Sequence, residues 1–205
     1  MKSPKLKIKR FNGVNLRIVL LVFVSALFES CANYTPKPHG YPRTDFPARS
    51  YQIFDDAAPF SFEIPSYAIM ERDTDSNTES HWYNMLLPQF DATVHMSYKH
   101  FSKSNMLDSL TEDAYRLAMK HTVKAEDIRE SEFRDTSTGT YGILYDFYGR
   151  TATPFNFYIT DEKNHFIRGA FYFNQNANSD SVMPIFKFLK KDLSHLISTV
   201  EWKTE

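Results

Sequence analysis

The sequence predicts an α+β domain, a mostly antiparallel sheet covered by two helices, and three observations predict it. Short runs that alternate apolar and polar residues recur along the chain, and two longer runs carry an apolar stripe at helical spacing. Their order is strands, helix, strands, helix, which places helices against a sheet of hairpins. The 18 Phe and 12 Tyr favour strand conformation and supply a large core.

Tyr51 to Phe54 and Pro59 to Ile64 read as two short strands separated by Asp55-Asp56-Ala57-Ala58, with Phe60 and Phe62 on one face and Ser61 and Glu63 on the other. Pro65 is expected to end the second, and the charged stretch Glu71 to Ser80 to form a loop. His81 to Leu87 and Ala92 to Lys99 make the next pair, joined by a turn at Pro88-Gln89-Phe90-Asp91. In the latter, Val94, Met96 and Tyr98 alternate against His95, Ser97 and Lys99. A first helix is expected from about Met106 to His121, capped by Ser104 or Asn105, with Asp108, Glu112 and Asp113 in its early turns. Its apolar stripe is Leu107, Leu110, Ala114, Leu117 and Ala118.

Four more strands follow: Ile128 to Phe133, Thr140 to Tyr148, Pro154 to Thr160 and His165 to Asn174. Tyr141, Ile143, Tyr145 and Phe147 share a face, while Gly142 and Gly149 admit a close backbone approach or a bulge. Asp161-Glu162-Lys163-Asn164 is a hairpin turn that sets Phe155, Phe157 and Ile159 across from Phe166 to Phe173. The last helix opens near Ser179-Asp180-Ser181, takes Pro184 in its first turn, and continues through Val182, Ile185, Leu189, Leu193, Leu196 and Val200. Lys187, Lys190 and Lys191 fall on its solvated side.

Ahead of this domain, Lys2, Lys5, Lys7, Lys9, Arg10 and Arg17 precede an apolar run from Ile18 to Phe28 that is too short to span a bilayer. Phe28-Glu29-Ser30-Cys31 resembles a bacterial lipobox, in which the cysteine is acylated, with palmitate-like chains, and becomes the new N-terminus. The alternative is an ordinary cleaved signal with an incidental cysteine. Cys31 is the sole cysteine, and an unpaired thiol in an exported chain is a liability, which favours lipidation. Two or more acyl chains hold a protein on a membrane far better than one, at about 0.8 kcal/mol per buried methylene. The expected organisation is a lipoprotein signal peptide at 1–30, a lipidated Pro-rich tether at 31–50 and a single α+β domain at 51–205.

The tether holds four prolines and one glycine between Ala32 and Ser50, which forbids regular helix or central strand and favours an extended polyproline-like form. Tyr34, Tyr41 and Phe46 give it aromatic anchors that suit packing on the domain or on a partner. Tyr34, Pro36, Pro38, Tyr41 and Arg43 are the candidate partner-binding residues. Six of the 24 basic residues and one of the 25 acidic ones lie in 1–30, leaving the mature chain with 18 against 24, a formal charge of −6. A nucleic-acid or anionic-lipid partner is disfavoured.

Tyr34-Thr-Pro-Lys-Pro-His-Gly-Tyr-Pro-Arg43 resembles a segment of the gliding-motility lipoprotein GldD family of Bacteroidetes. Pro59-Phe-Ser-Phe-Glu63, Lys120-His-Thr-Val-Lys-Ala125, Tyr141-Gly-Ile-Leu-Tyr145, Arg168-Gly-Ala-Phe-Tyr-Phe-Asn174 and Val200-Glu-Trp-Lys203 agree with it in the same order. The resemblance implies an envelope lipoprotein acting as a structural or assembly component of the gliding-motility and type-nine protein secretion machinery, with protein partners there. It brings no catalytic residues. Ala32-Asn33-Tyr34 lacks the acidic run associated with surface export, so the expected position is the outer membrane, facing the periplasm. In topology the element order also looks similar to PsbP/Mog1-like α-β-α sandwiches, which says nothing of function.

The residues offer little catalytic chemistry. His39, His81, His95, His100, His121, His165 and His195 form no His-Glu-x-x-His pair or other metal spacing, so no metal site and no cofactor is expected. His95 and His100 are five apart on a strand and therefore on opposite faces. His121 at a helix end, and His195 one turn after Asp192, are accounted for by structural roles. No Gly-x-Ser-x-Gly marks a nucleophile, nothing singles out Ser97 with His95, and the six glycines make no phosphate loop. The carboxylates are expected on solvent faces, so no acid/base pair can be named. The expectation is a non-enzymatic, membrane-tethered interaction module; the alternative is a tethered small-ligand binder or hydrolase using a Tyr- and Phe-lined cleft.

Overall fold

A computed structural model describes residues 45–74, 79–120, 125–149, 151, 153–174 and 179–203, with the backbone alone at 104, 105 and 179–181. In chain order the described strands are β1 (Tyr51–Phe54), β2 (Phe60–Pro65), β3 (Ile69–Arg72), β4 (Tyr83–Leu87) and β5 (Ala92–His100). After helix α1 (Ser104–Met119) come β6 (Ala125–Asp135), β7 (Thr140–Gly149), β8 (Phe155–Thr160) and β9 (His165–Phe173), then helix α2 (Ser179–Ser198) and β10 (Glu201–Trp202). Every strand pair is antiparallel. Seven strands form one sheet in the order β3-β4-β5-β9-β8-β7-β6, and β1-β2-β10 form a smaller one. The fold is the expected α+β class.

The two helices lie against different faces of the large sheet. On one, Phe155, Phe157, Ile159, Ile167 and Phe171 join Phe60, Phe62 and Ile64 of β2 and Phe186, Leu189, Leu193 and Leu196 of α2 in the main core. Alternation puts these strand residues on one side, and each such side chain is worth roughly 1.5–3 kcal/mol of burial. On the other face α1 runs diagonally, with Ala114 against Phe101 and Phe166, and Ala118 against Tyr145 and Phe147. Register across that face places Glu132, Ile143, Tyr158, Arg168 and Ser97 in one row. The next row runs Glu130, Tyr145, Asn156, Ala170, His95, Asn84 and Glu71.

The hairpin β8–β9 pairs as expected, Phe155 opposite Phe171 and Ile159 opposite Ile167. At Gly149, with φ at +98°, the register slips past Glu126, so this glycine does sit at a bulge. The turn at Pro88–Phe90 is a 3-10 turn closed by Asp91 in the left-handed region.

Several local expectations are corrected. Glu71 and Arg72 belong to β3, an edge strand pairing with β4, and not to a loop; short, charged strands are typical of protected edges. Pro65 lies inside β2, opposite Tyr51. The N-cap of α1 is Lys103, in extended conformation with no side-chain bond, so neither Ser104 nor Asn105 caps it. Pro184 is past the first turn of α2, where the backbone lacks one amide donor. Val200 is outside α2, in the connection to β10, whose two residues were too short to show any period. Lys190 is not simply solvated, because its ammonium pairs with the buried Asp146 at 2.5 Å. Asp146 and Asp192 are both buried, against the expectation that all carboxylates face solvent.

Candidate interaction site

The densest polar network of the described residues lies where the chain enters the domain. Asp192 falls inside the apolar arc of α2, between Phe188 and Leu196, so the helix that builds the core also carries a carboxylate into it. Three donors from the N-terminal part of the domain converge there. Arg49 Nε donates to Oδ1 at 2.9 Å, Tyr51 OH to the same oxygen at 2.9 Å, and Tyr67 OH to Oδ2 at 2.5 Å. Arg49 also donates Nη2 to the Phe188 carbonyl at 3.1 Å and stacks its guanidinium 4.3 Å from the Phe188 ring centroid. Charge-assisted bonds of this kind are about twice as strong as neutral ones.

Burial first, and the Asp192 bond and charge second, push the phenols of Tyr67 and Tyr51 up from their ordinary value. Both therefore remain protonated donors. The ring of Tyr51 stacks on His195 at 3.7 Å, and His195 Nε2 lies 2.6 Å from Glu63 Oε2 on β2. Phe46 stacks on Phe188 at 4.5 Å and faces Phe90 at 6.3 Å. Residues 45–51 are thus fastened to α2 by two ring stacks, an ion pair and the Tyr51 phenol. Of the tether's aromatic anchors, Phe46 packs on the domain.

The predicted site residues Cys31, Tyr34, Pro36, Pro38, Tyr41 and Arg43 lie outside the described residues, as do His39 and His121. The other histidines are dispersed. His95 faces Asn84, Nδ1 to Oδ1 at 2.7 Å, with its pKa lowered by burial and partly restored by Asp73. His165 is buried against Tyr98 OH at 2.8 Å and stacked on Trp202, and His100 sits across from it on β5. His81 takes the left-handed region at φ 66°. Among the described residues no group of three His, Cys, Asp or Glu side chains could hold a metal ion. No described helix is long and apolar enough to cross a membrane.

Asp192 and Arg49 escaped sequence reasoning because 143 residues separate them. One signal was present: Asp192 is a charge at a position of α2 whose helical neighbours Phe188, Leu189 and Leu196 are all buried.

The fold and this network define an α+β sandwich whose entering chain is tied to its last helix. The chain belongs to the gliding motility lipoprotein GldD family, whose model matches residues 31–202. It is accordingly a gliding-motility lipoprotein of the cell envelope. No curated protein matches the chain. Among solved structures it is similar to the solution structure of cyanobacterial PsbP (CyanoP) from Synechocystis sp. PCC 6803, at 12% identity, covering 81% of this chain and 99% of that one with a TM-score of 0.48.

Proposed function

We propose that the protein is a non-catalytic assembly component of the gliding-motility and type-nine secretion machinery, held by acylated Cys31 on the periplasmic side of the outer membrane. The observation that carries this is the Asp192 clasp. It engages both oxygens of a buried carboxylate with Arg49, Tyr51 and Tyr67, leaving that group to fasten the chain and not to move protons. A domain that must stay oriented to an anchor and to neighbours benefits from such a fastening, because force or thermal motion in the tether meets the fold at a defined point. The tether residues Tyr34, Pro36, Pro38, Tyr41 and Arg43 are the proposed contact with a protein partner, since a preformed extended segment loses little entropy on binding.

The test is crosslinking with mass spectrometry on native envelopes, with Cys31→Ala alongside. Reproducible links from the tether or one domain face to motility or secretion components are expected, and Cys31→Ala is expected to shift the protein to a soluble fraction or leave its signal uncleaved. A processed Cys31→Ala protein that still sediments with outer membranes overturns the anchor. A protein that stays unlinked where other envelope complexes are captured overturns the assembly role in favour of a tethered ligand binder or hydrolase.

A further inference from the structure

The α1 side of the sheet carries a second polar feature, built in the opposite way from the clasp. Arg168 is on β9, the central strand of seven, flanked by Ser97 on β5 and Tyr158 on β8. It is half-buried, and burial pushes its guanidinium down from the usual value, offset only by the Tyr172 phenol. Among the described residues no carbonyl or carboxylate accepts from it. A guanidinium keeps its proton even so, and it presents a planar fork that matches a carboxylate.

In the next row, Asn156 is 2% exposed, and its Oδ1 accepts from Thr153 Oγ1 at 2.8 Å while its Nδ2 has no partner. The N–H dipoles of that amide add positive potential to the same patch. Among the described residues no carboxylate of this face stands on β5 or β8, the strands beside Arg168: Glu79 pairs with Lys99, Asp73 acts on His95, Glu71 is on the edge strand β3, and Glu130 and Glu132 are on the opposite edge strand, β6. Toward that edge the face turns apolar, with Leu86 half-buried and Ile69 51% exposed. Ile69 and Leu86 share the register row of Thr93 and Tyr172, four residues along β9 from Arg168. Ile69 is thus about 14 Å across the strands and about 14 Å along them, roughly 20 Å in all, which an extended chain covers in about six residues.

We propose that this face docks an extended acidic segment of a partner polypeptide, whose Asp or Glu carboxylate takes the fork of Arg168 while an apolar residue about six positions away covers Ile69 and Leu86. Charge complementarity specifies the first half and the exposed edge the second. That the partner is a protein rests on the assembly role proposed above.

Trp82 borders the patch, its ring 5.7 Å from the Lys99 ammonium, and serves as the reporter. The full acylated chain in lipid nanodiscs is titrated with the blocked heptapeptide Glu-Thr-Thr-Thr-Thr-Thr-Leu, and Trp82→Phe shows which part of the fluorescence change is local. A saturable change is expected, weakened tenfold or more by Gln in place of the peptide's Glu and by Arg168→Gln, with Arg168→Lys between. Equal titration by the Glu and Gln peptides of the unaltered protein overturns the proposal whatever the folding of the variants, as does absence of a saturable change at millimolar peptide. Saturation by an oligogalacturonate but not by the peptide overturns the polypeptide assignment. Envelope fractionation is unaffected by any of these results, so this proposal and the anchored-assembly role fail separately.

Discussion

The two faces of the large sheet treat buried polar groups in opposite ways. On the α2 side each described buried carboxylate faces a cation: Asp192 is bonded by Arg49, Tyr51 and Tyr67, and Asp146, whose Oδ1 accepts no hydrogen bond, is paired with the Lys190 ammonium. On the α1 side Arg168 and the Asn156 amide have donors to spare and no described acceptor. Both arrangements cost desolvation, but only the first is offset within the fold. A satisfied network fixes where the entering chain lands. An unsatisfied one lowers stability in the free protein and is relieved when an acceptor arrives, which is how a binding surface differs from a structural one.

Removing the complement on the satisfied side is the largest way to break the comparison. Asp192→Ala leaves Arg49 without its counter-charge and the phenol of Tyr67 without an acceptor. Breaking a fully buried pair costs 3–5 kcal/mol, and Arg49 can still turn toward water, so the expected loss is about 2–4 kcal/mol. Urea denaturation of the full chain measures it. Asp192→Asn, which keeps an acceptor for Tyr67, should lose less; equal losses would mean that packing, and not the network, holds the tether.

How much of this was legible in the sequence follows from the range of the interactions. The eight longer strands and both helices could be read because each buries a face at a period of two or 3.6 within itself. β3 and β10 could not: Ile69-Met70-Glu71-Arg72 does not alternate apolar with polar, two residues hold no period, and both exist because β4 and β2 offer them ladders. The clasp joins positions 49 and 192 through tertiary contact alone, and it is visible afterwards as one carboxylate inside an apolar stripe. Arg168 carried the same signature, a single charge in the apolar run from Phe166 to Phe173. Whether such a charge is paired or bare depends on which strands lie beside it, and local pattern does not hold that information.

On the unsatisfied side the sign reverses. Arg168→Met keeps most of the aliphatic stem and removes a partly desolvated cation that has no described partner, so stability should rise, by up to about 1 kcal/mol. For a domain of this size that is roughly 2–4 °C in Tm, read by differential scanning calorimetry. A fall in Tm would show that the guanidinium is held by the fold, and the contrast between the faces would lose its basis.

The smallest effect sharpens the contrast within one chemistry, because a second carboxylate is held by an arginine and a tyrosine at the surface. Asp56 accepts from Arg72 Nη2 at 2.9 Å and Tyr83 OH at 2.9 Å, and its Oδ1 takes the Ala57 N–H at 2.8 Å. The Ala57 N–H first, then Arg72 and Tyr83, draw its pKa from 3.8 down to about 2. In the unfolded chain the carboxyl returns to its ordinary value and binds a proton sooner as pH falls, so the group's contribution is complete above about pH 4 and is lost as pH drops through 2. Asp56→Asn should therefore flatten the acid limb of the stability profile between pH 4 and 2, with little change in shape above it. Being exposed, the group is screened by solvent and salt, and 1 M NaCl should shrink the difference between variant and parent. The buried Asp192 cluster shares the arginine and tyrosine donors but is shielded from solvent, so the loss in Asp192→Ala should survive the same salt. Equal salt sensitivity at both carboxylates would mean that burial does not separate them.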